Sequence, residues 1–391
     1  MKITHLDVHQ IGLGFRNCVV AELQTDAGIT GFGETVLKRH SKTVEASIRE
    51  LGRYLIGKDP TCIEDHHEKM YRDSFWVGGP LHASAISAVD IAMWDILGQS
   101  LGVPIYKLLG GPTRDSIPVY CHCAAGDEPD EFASNLKDCQ RRGFHAAKTT
   151  LPVFYGSGKS DTGYSGLRGS IEPTRKETEF VPTSAIDRIA DFFAAGREAV
   201  GPDFELAVDC HGRLSVANAI RLCEALQPFG LMFIEEPVPP ENPAALAEVT
   251  SRSSTPIAAG ERWSSVYGVQ PFLDCRAVSI LQPDFVNCGG ITSGKKIAAL
   301  AQSHYIPICP HNPNGPLATA ASLHVLAAIP NCFMIESIGS ALDHELHGQM
   351  VDDPLIPHDG HLALPTRPGI GMRLLPDAAE RFPYQAFRGW R

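Results

Sequence analysis

The chain has no long apolar run near its start: MKITHLDVHQIG carries one lysine and alternates polar with apolar residues. Neither a signal peptide nor a membrane span is therefore expected, and the cytoplasm is the expected compartment. Positive charge is scarce. Thirty-four Lys and Arg stand against 45 Asp and Glu, a formal net charge of −11. That balance disfavours polyanionic partners, so neither nucleic acid nor an anionic membrane surface is expected. It also sets a condition: an acidic protein that takes an acidic small molecule must make its site locally positive, with a metal or buried cations. The 11 cysteines are odd in number and scattered, and read as free thiols in a reducing compartment. Cys121-His122-Cys123 lacks a second ligand pair at finger spacing and reads as ordinary strand residues. A dinucleotide loop is missing too. GLGFRN at 12–17 has no third glycine, no strand–helix context and no ribose-binding acid, so it reads as a loop of a smaller domain.

What is present is 43% hydrophobic and 20% charged, the composition of a soluble globular protein. At 391 residues it suggests two domains, unless one is a large α/β barrel. NCVVAELQT and ITGFGETV flank DAG, a hairpin with glycine at its bend. Val44, Ile48, Leu51 and Leu55 fall on one face of a helix, and LHASAISAVDIAMWDILGQSLG reads as a second amphipathic helix ending at Gly102. Strands followed by helices, without βαβ alternation, predict an α+β domain over 1–118. From 119 to 365 the rhythm changes. FHAAKTT, FELAVD, LMFIEE, PIAAGE, VSILQPD, IPICPH and CFMIES are short apolar runs, most of them separated by amphipathic helical segments. Repeating strand–helix units of this length predict an α/β barrel of TIM type. Residues 155–183 break the rhythm with a Gly-, Ser- and Thr-rich stretch. It is either a surface insertion, or a lid or oligomer contact that brings Tyr155, Tyr164 or Arg168 to a ligand.

From FELAVD onward each apolar run ends in a polar residue: Asp209, Glu235, Glu261, Asp284, His311 and Glu336. The gaps are 26, 26, 23, 27 and 25 residues, about one βα unit each. In a barrel these ends converge on one mouth. Three close carboxylates repel one another unless their pKa values rise or a cation sits between them. Oxygens of Asp209, Glu235 and Glu261 with open positions suit a hard divalent ion, most simply Mg²⁺; zinc is disfavoured, since no thiolate or imidazole cluster accompanies them. The alternative is that each acid caps a helix or binds a barrel Lys or Arg. Asp284 on one strand end and His311 on the next would make a carboxylate–imidazole base, or His311 is a turn residue of CPHNPNGP. Asp209 and His211, two apart, should share a strand face. Lys148, ending FHAAK, either holds a substrate carboxylate or sits in a buried salt bridge. Arg16, Phe75 and Trp76 either shape a substrate pocket or pack the smaller domain on the barrel.

These residues resemble the mandelate racemase subgroup of the enolase superfamily and, within it, the D-galactonate dehydratase-like sugar-acid dehydratases. The resemblance runs along nearly the whole chain, through GFGE at 31–34, TVEA…ELGRYLIGKDP, FWVGGP, SAVDIAMWDILGQSLGVPIYKLLGG, DCHGR, FIEEP, AAGER, ILQPD and PHNPNGP. It implies a modified (β/α)7β barrel under an α+β capping domain, with residues 366–391 returning to the cap. It implies Asp209, Glu235 and Glu261 as Mg²⁺ ligands, His311 with Asp284 as base, Glu336 as hydrogen-bond partner of an ene-diolate, and His211 as general acid. A homo-oligomer is implied as well. One feature departs: racemases of this subgroup carry Lys-x-Lys on the second barrel strand, where this chain has Lys148-Thr149-Thr150. A two-base racemase is thereby disfavoured.

The expected activity is dehydration of an aldonic or aldaric acid, galactonate-like by the resemblance, to a 2-keto-3-deoxy acid. Epimerisation or lactone cycloisomerisation through the same ene-diolate, and a non-catalytic sugar-acid binder, are the alternatives.

Overall fold

The computed structural model describes residues 1–14, 16–152, 181–338 and 341–386. Strands β1 (Ile3–Leu13), β2 (Arg16–Thr25) and β3 (Thr30–Thr35) form an antiparallel sheet in that order, with the β2–β3 turn at Gly28 in the left-handed region. Alternation along β3 explains its sequence, TGFGET. Gly31 and Gly33 face helix α3 (Pro80–Leu101), where a Cβ would stand 2.2 Å from the Ala92 carbonyl oxygen and 2.0 Å from that of Ala88. Only glycine lets the strand lie so close to the helix. Glu34, on the opposite face, reaches the barrel.

Helix α1 (Ser41–Leu55) buries Val44, Ile48 and Leu55 as one stripe, and α2 (Ile63–Arg72) follows it. Helix α3 ends, as expected, at Gly102 with φ 69°. It is not amphipathic, however. The sheet covers one side while α1, α2 and the helix Gly290–Ser303 cover others, so most of its residues are buried.

The second sheet is a parallel ladder: β4 (Ser116–His122), β5 (Ala146–Thr150), β6 (Glu205–Asp209), β7 (Phe233–Glu235), β8 (Ile257–Ala259) and β9 (Ile280–Leu281) pair in sequence, and β10 (Ile335–Ser337) pairs with β4. The ring closes through isolated parallel bridges from Leu281 to Ile308 and from Ile308 to Cys332. The eighth staff of the barrel is therefore a short stretch around Ile308. Among the described residues seven α-helices lie between successive staves: Pro129–Arg141, Thr183–Val200, Val216–Leu226, Pro243–Arg252, Ser265–Asp274, Gly290–Ser303 and Pro316–Ala327. This is the (β/α)7β order with an α+β cap. A last strand, β11 (His361–Ala363), pairs antiparallel with the start of β4. Strand alternation sends Leu206, Val208 and Ile234 outward to the helices, whereas Tyr120, Ala146, Ala207, Phe233, Ala258 and Ile280 fill the lumen.

Cap and barrel are stitched by buried polar groups. Glu34 accepts the N–H groups of Gly315 (2.6 Å), Leu317 (3.2 Å) and Ala318 (3.3 Å), at the start of the helix Pro316–Ala327. The C-terminal stretch returns to the first sheet, where Gly12 N donates to the Phe382 carbonyl at 2.9 Å and Asn17 Nδ2 to that of Gln385 at 2.9 Å. All 11 cysteines are free, and among the described residues no helix is long and apolar enough to cross a membrane.

Two α3 carboxyls are wholly buried. Asp90 accepts from Thr292 N and Oγ1, at 3.1 and 2.6 Å; Asp95 accepts from the backbone N–H groups of Phe32 and Ile370, each at 2.9 Å. Burial drives both up from 3.8 to about 6, against the pull of those donors. Each binds its proton more tightly folded than unfolded, so its contribution to stability is full below 3.8 and is lost as the pH rises through about 6. Asp95→Asn, which cannot ionise, should therefore gain stability relative to the parent protein between about pH 5 and about pH 8. Thermal unfolding at the two values checks this, and a constant difference would show that Asp95 does not titrate there.

Candidate active site

Period two places a charged layer above the apolar lumen. His122 on β4, Lys148 on β5, Asp209 on β6, Glu235 on β7 and Glu336 on β10 all project inward at the same end of the ladder, paired in register as His122 with Lys148 and Asp209 with Glu235. Glu261 follows β8 after Gly260, whose φ of 146° turns the chain where a Cβ would lie 2.9 Å from Gln282 N. Asp284 lies just beyond β9, and His311 just beyond the Ile308 stretch.

Lys148 occupies the centre. Its Nζ is 2.7 Å from Glu235 Oε2, 2.9 Å from Glu336 Oε1 and 3.8 Å from Asp209 Oδ2, with the side chain only 3% exposed. Of its two expected readings, the buried salt bridge is thus realised. Burial opposes its charge, but Glu235 and Glu336 outweigh it and hold the ammonium protonated. Gln282 Nε2 adds a hydrogen bond to Glu235 Oε2 at 2.9 Å. Glu336 accepts from Asn312 N at 2.7 Å and pairs with His122 Nε2. Although burial works against ionisation, Lys148 and His122 hold the Glu336 carboxyl well below the usual range.

His311 Nδ1 is 2.8 Å from Asp284 Oδ2 and its Nε2 is 3.3 Å from Glu261 Oε2, so the expected dyad is formed. Burial lowers the affinity of His311 for its proton. Glu261, Glu336 and Asp284 overcome that and raise it to about 10. His211 reaches Asp209 as well, Nε2 to Oδ2 at 3.0 Å, but not by strand alternation. The strand ends at Asp209; His211 then takes φ 50°, and its N–H turns back to Asp209 Oδ1 at 2.8 Å. Burial, with Lys148 and Arg262 adding to it and Glu261 opposing, pushes His211 down to about 3.

The donor set fits a hard cation. Two of the three acids are engaged by a protein cation, Glu235 by Lys148 and Glu261 by His311, while Asp209 meets the neutral His211 imidazole. Among the described residues no three His, Cys, Asp or Glu side chains stand in metal-holding geometry. Yet Glu235 Oε1 is buried without a hydrogen-bond partner. Burial and the neighbouring Glu235 also push the Asp209 carboxyl well up. An orphaned carboxylate oxygen beside crowded anions is what a divalent ion bound by oxygens would relieve.

Comparison with known proteins agrees. The family model of the mandelate racemase/muconate lactonizing enzyme N-terminal domain matches residues 8–110, and that of the enolase C-terminal domain-like fold matches 131–378. The chain belongs to the mandelate racemase/muconate lactonizing enzyme family of the enolase superfamily. It is 39% identical over 325 residues to a D-galactonate dehydratase of Ralstonia pickettii, covering 83% of this chain and 78% of that one. It is 35% identical over 380 residues to one of Cronobacter sakazakii, covering 96% and 92%. A solved enolase superfamily member from Salmonella Typhimurium superposes with a TM-score of 0.88 at 31% identity, covering 98% of each chain.

Arg16 is buried, its Nη2 donating to the Asn314 carbonyl at 3.1 Å. Trp76 lies on the α2–α3 loop, 82% exposed and edge-to-face with Phe75. Tyr155, Tyr164 and Arg168 fall outside the described residues. Other residues at the mouth escaped the sequence reading. His122 reads as plain strand by sequence, yet it shares the inner face of β4 with Tyr120 and meets Glu336. Arg262 stands beside Glu261 in sequence, and its Nη2 is 2.8 Å from Glu236 Oε2. Glu236 itself has φ 39°, a strained non-glycine position like that of His211.

Lys148→Met would leave Glu235 and Glu336 uncompensated, at a cost of about 3–5 kcal/mol in chelator. A divalent cation should raise the unfolding temperature of the variant more than that of the parent protein. Equal shifts would show that Lys148 does not compensate these acids.

Proposed function

We propose that this chain is a Mg²⁺-dependent sugar-acid dehydratase, a hydro-lyase acting on an aldonic or aldaric acid. What carries the reading is the mouth itself: an imidazole–carboxylate dyad and a second imidazole facing acids on neighbouring strand ends, within a chain whose relatives are named D-galactonate dehydratases. Those names favour a substrate of galactonate-like configuration.

Asp209, Glu235 and Glu261 would hold the ion. Mg²⁺, when bound, supplies fixed positive charge for the substrate carboxylate as negative charge builds on it. Lys148, now set against Glu235 and Glu336, stands ready to share that carboxylate. His311 removes the proton at C2 through Nε2, with Asp284 fixing the ring by its bond to Nδ1. The base must first be neutral, which requires that the charge of Glu261 be taken up elsewhere. Glu336 faces the developing ene-diolate. His211 delivers a proton to the departing 3-hydroxyl; its low pKa makes it a ready donor whenever it is charged. The resulting enol tautomerises to the 2-keto-3-deoxy acid. Thr150, where racemases carry a second base, leaves re-protonation of C2 from the far side without a lysine.

Incubation with Mg²⁺ and a panel of aldonic and aldaric acids should yield 2-keto-3-deoxy products, detected by loss of water in mass spectrometry. Exchange of the C2 proton with D₂O and no water loss would point to epimerisation instead. His311→Asn should lower kcat by about 10²–10⁴ and abolish C2 exchange, whereas His211→Asn should lose dehydration and keep exchange.

A further inference from the structure

The oxygen that orients the base has more partners than the base. Asp284 Oδ2 accepts from His311 Nδ1 at 2.8 Å, from Asn287 Nδ2 at 2.8 Å and from Asn314 Nδ2 at 3.2 Å, while Oδ1 accepts from Val286 N at 2.9 Å. Neither amide belongs to the set of acids and imidazoles at the mouth. Both are held from the cap.

The Asn287 amide is satisfied almost wholly by cap groups. Its Nδ2 also donates to the Val36 carbonyl at 3.0 Å, and its Oδ1 accepts from Ser84 Oγ of α3 at 2.8 Å. Thr35 Oγ1, at the end of β3, lies 3.1 Å from the same Oδ1 and donates to the Val286 carbonyl at 2.7 Å. With donors and acceptor so matched, the amide has one orientation open to it. Asn314 is gripped through its backbone. Its carbonyl takes Arg16 Nη2, and the next residue, Gly315, gives its N–H to Glu34 so closely that a Cβ there would lie 2.5 Å from Glu34 Oε1.

We infer that Asn287 and Asn314 are positioning residues through which the cap, by Thr35, Ser84, Glu34 and Arg16, sets the line of the His311–Asp284 dyad without lending a side chain to it. The inference rests on the reading of His311 as the base. The two amides hold Oδ2 from fixed positions on either side of the imidazole, so losing one removes a restraint on rotation of the carboxylate and of the ring bonded to it. A base displaced by a fraction of an ångström transfers its proton more slowly, while substrate binding by other groups is untouched.

Thr35 is the test position, because it is wholly buried in the cap and touches none of the mouth groups. Thr35→Val removes the hydroxyl at nearly constant shape; Thr35→Ser keeps it. In the Mg²⁺-loaded protein, Thr35→Val should lower kcat and the C2 exchange rate about tenfold, the worth of one hydrogen bond of ordinary strength, with KM and Mg²⁺ affinity unchanged. Thr35→Ser should restore both rates, and Thr35→Val should add nothing to His311→Asn. Ser84→Ala, which removes the hydroxyl that donates to Asn287 Oδ1, should act in the same direction and stands in if Thr35→Val unfolds. An unchanged kcat in folded Thr35→Val, an equal loss in Thr35→Ser, or a further loss on top of His311→Asn would overturn the inference. If His311→Asn itself keeps full activity, it is the assignment of the base that fails.

Discussion

The structure turns on how much negative charge one small volume can hold. Asp209, Glu235, Glu261 and Glu336 meet at the barrel mouth, and in a low-dielectric setting their repulsion would open the ring. Lys148 prevents this, seated between Glu235 and Glu336 with Asp209 within reach. The protonated His311 adds charge beside Glu261, and the His211 and His122 rings meet Asp209 and Glu336. This explains how a chain with a formal net charge of −11 builds a site for an anionic substrate. Cations concentrated at one point matter more there than the sign of the whole surface.

The same balance links binding to chemistry. The imidazole assigned as base is held protonated by the carboxylate of Glu261, a residue assigned to the ion. Proton and cation therefore compete for one field, and occupancy of the acids is coupled to the state of the base. Asp284 meets the same imidazole from its other side. Its other partners are neutral amide donors, two of them braced by the cap, and these fix the direction in which it holds the ring.

The cap reaches the barrel because of close packing further back. Glycines at 31 and 33 let β3 lie against α3, and this brings Glu34 and Thr35 to the loop ends of the barrel. Asp95 then joins β3 to the returning C-terminal stretch. The GFGE and PHNPNGP segments, far apart in sequence, prove to be two halves of one contact.

Much of this was legible in the chain alone. Period-two runs ending in an acid or imidazole at intervals of 23–27 residues determine a barrel with a polar mouth, and the residue types at 209, 235, 261, 284 and 311 determine what that mouth could hold. Both signals are local, carried by neighbours along one strand. The tertiary structure alone decided which cation meets which acid, that His122 joins Glu336 across 214 residues, that Lys148 joins Glu235 across 87, and that Thr35 of the cap stands by Asn287 across 252. It also decided that α3 is buried on several sides and that His211 reaches Asp209 from a left-handed turn. Periodicity determines the face a side chain takes; its partner depends on how the ring closes and where the cap settles, and no local pattern encodes either.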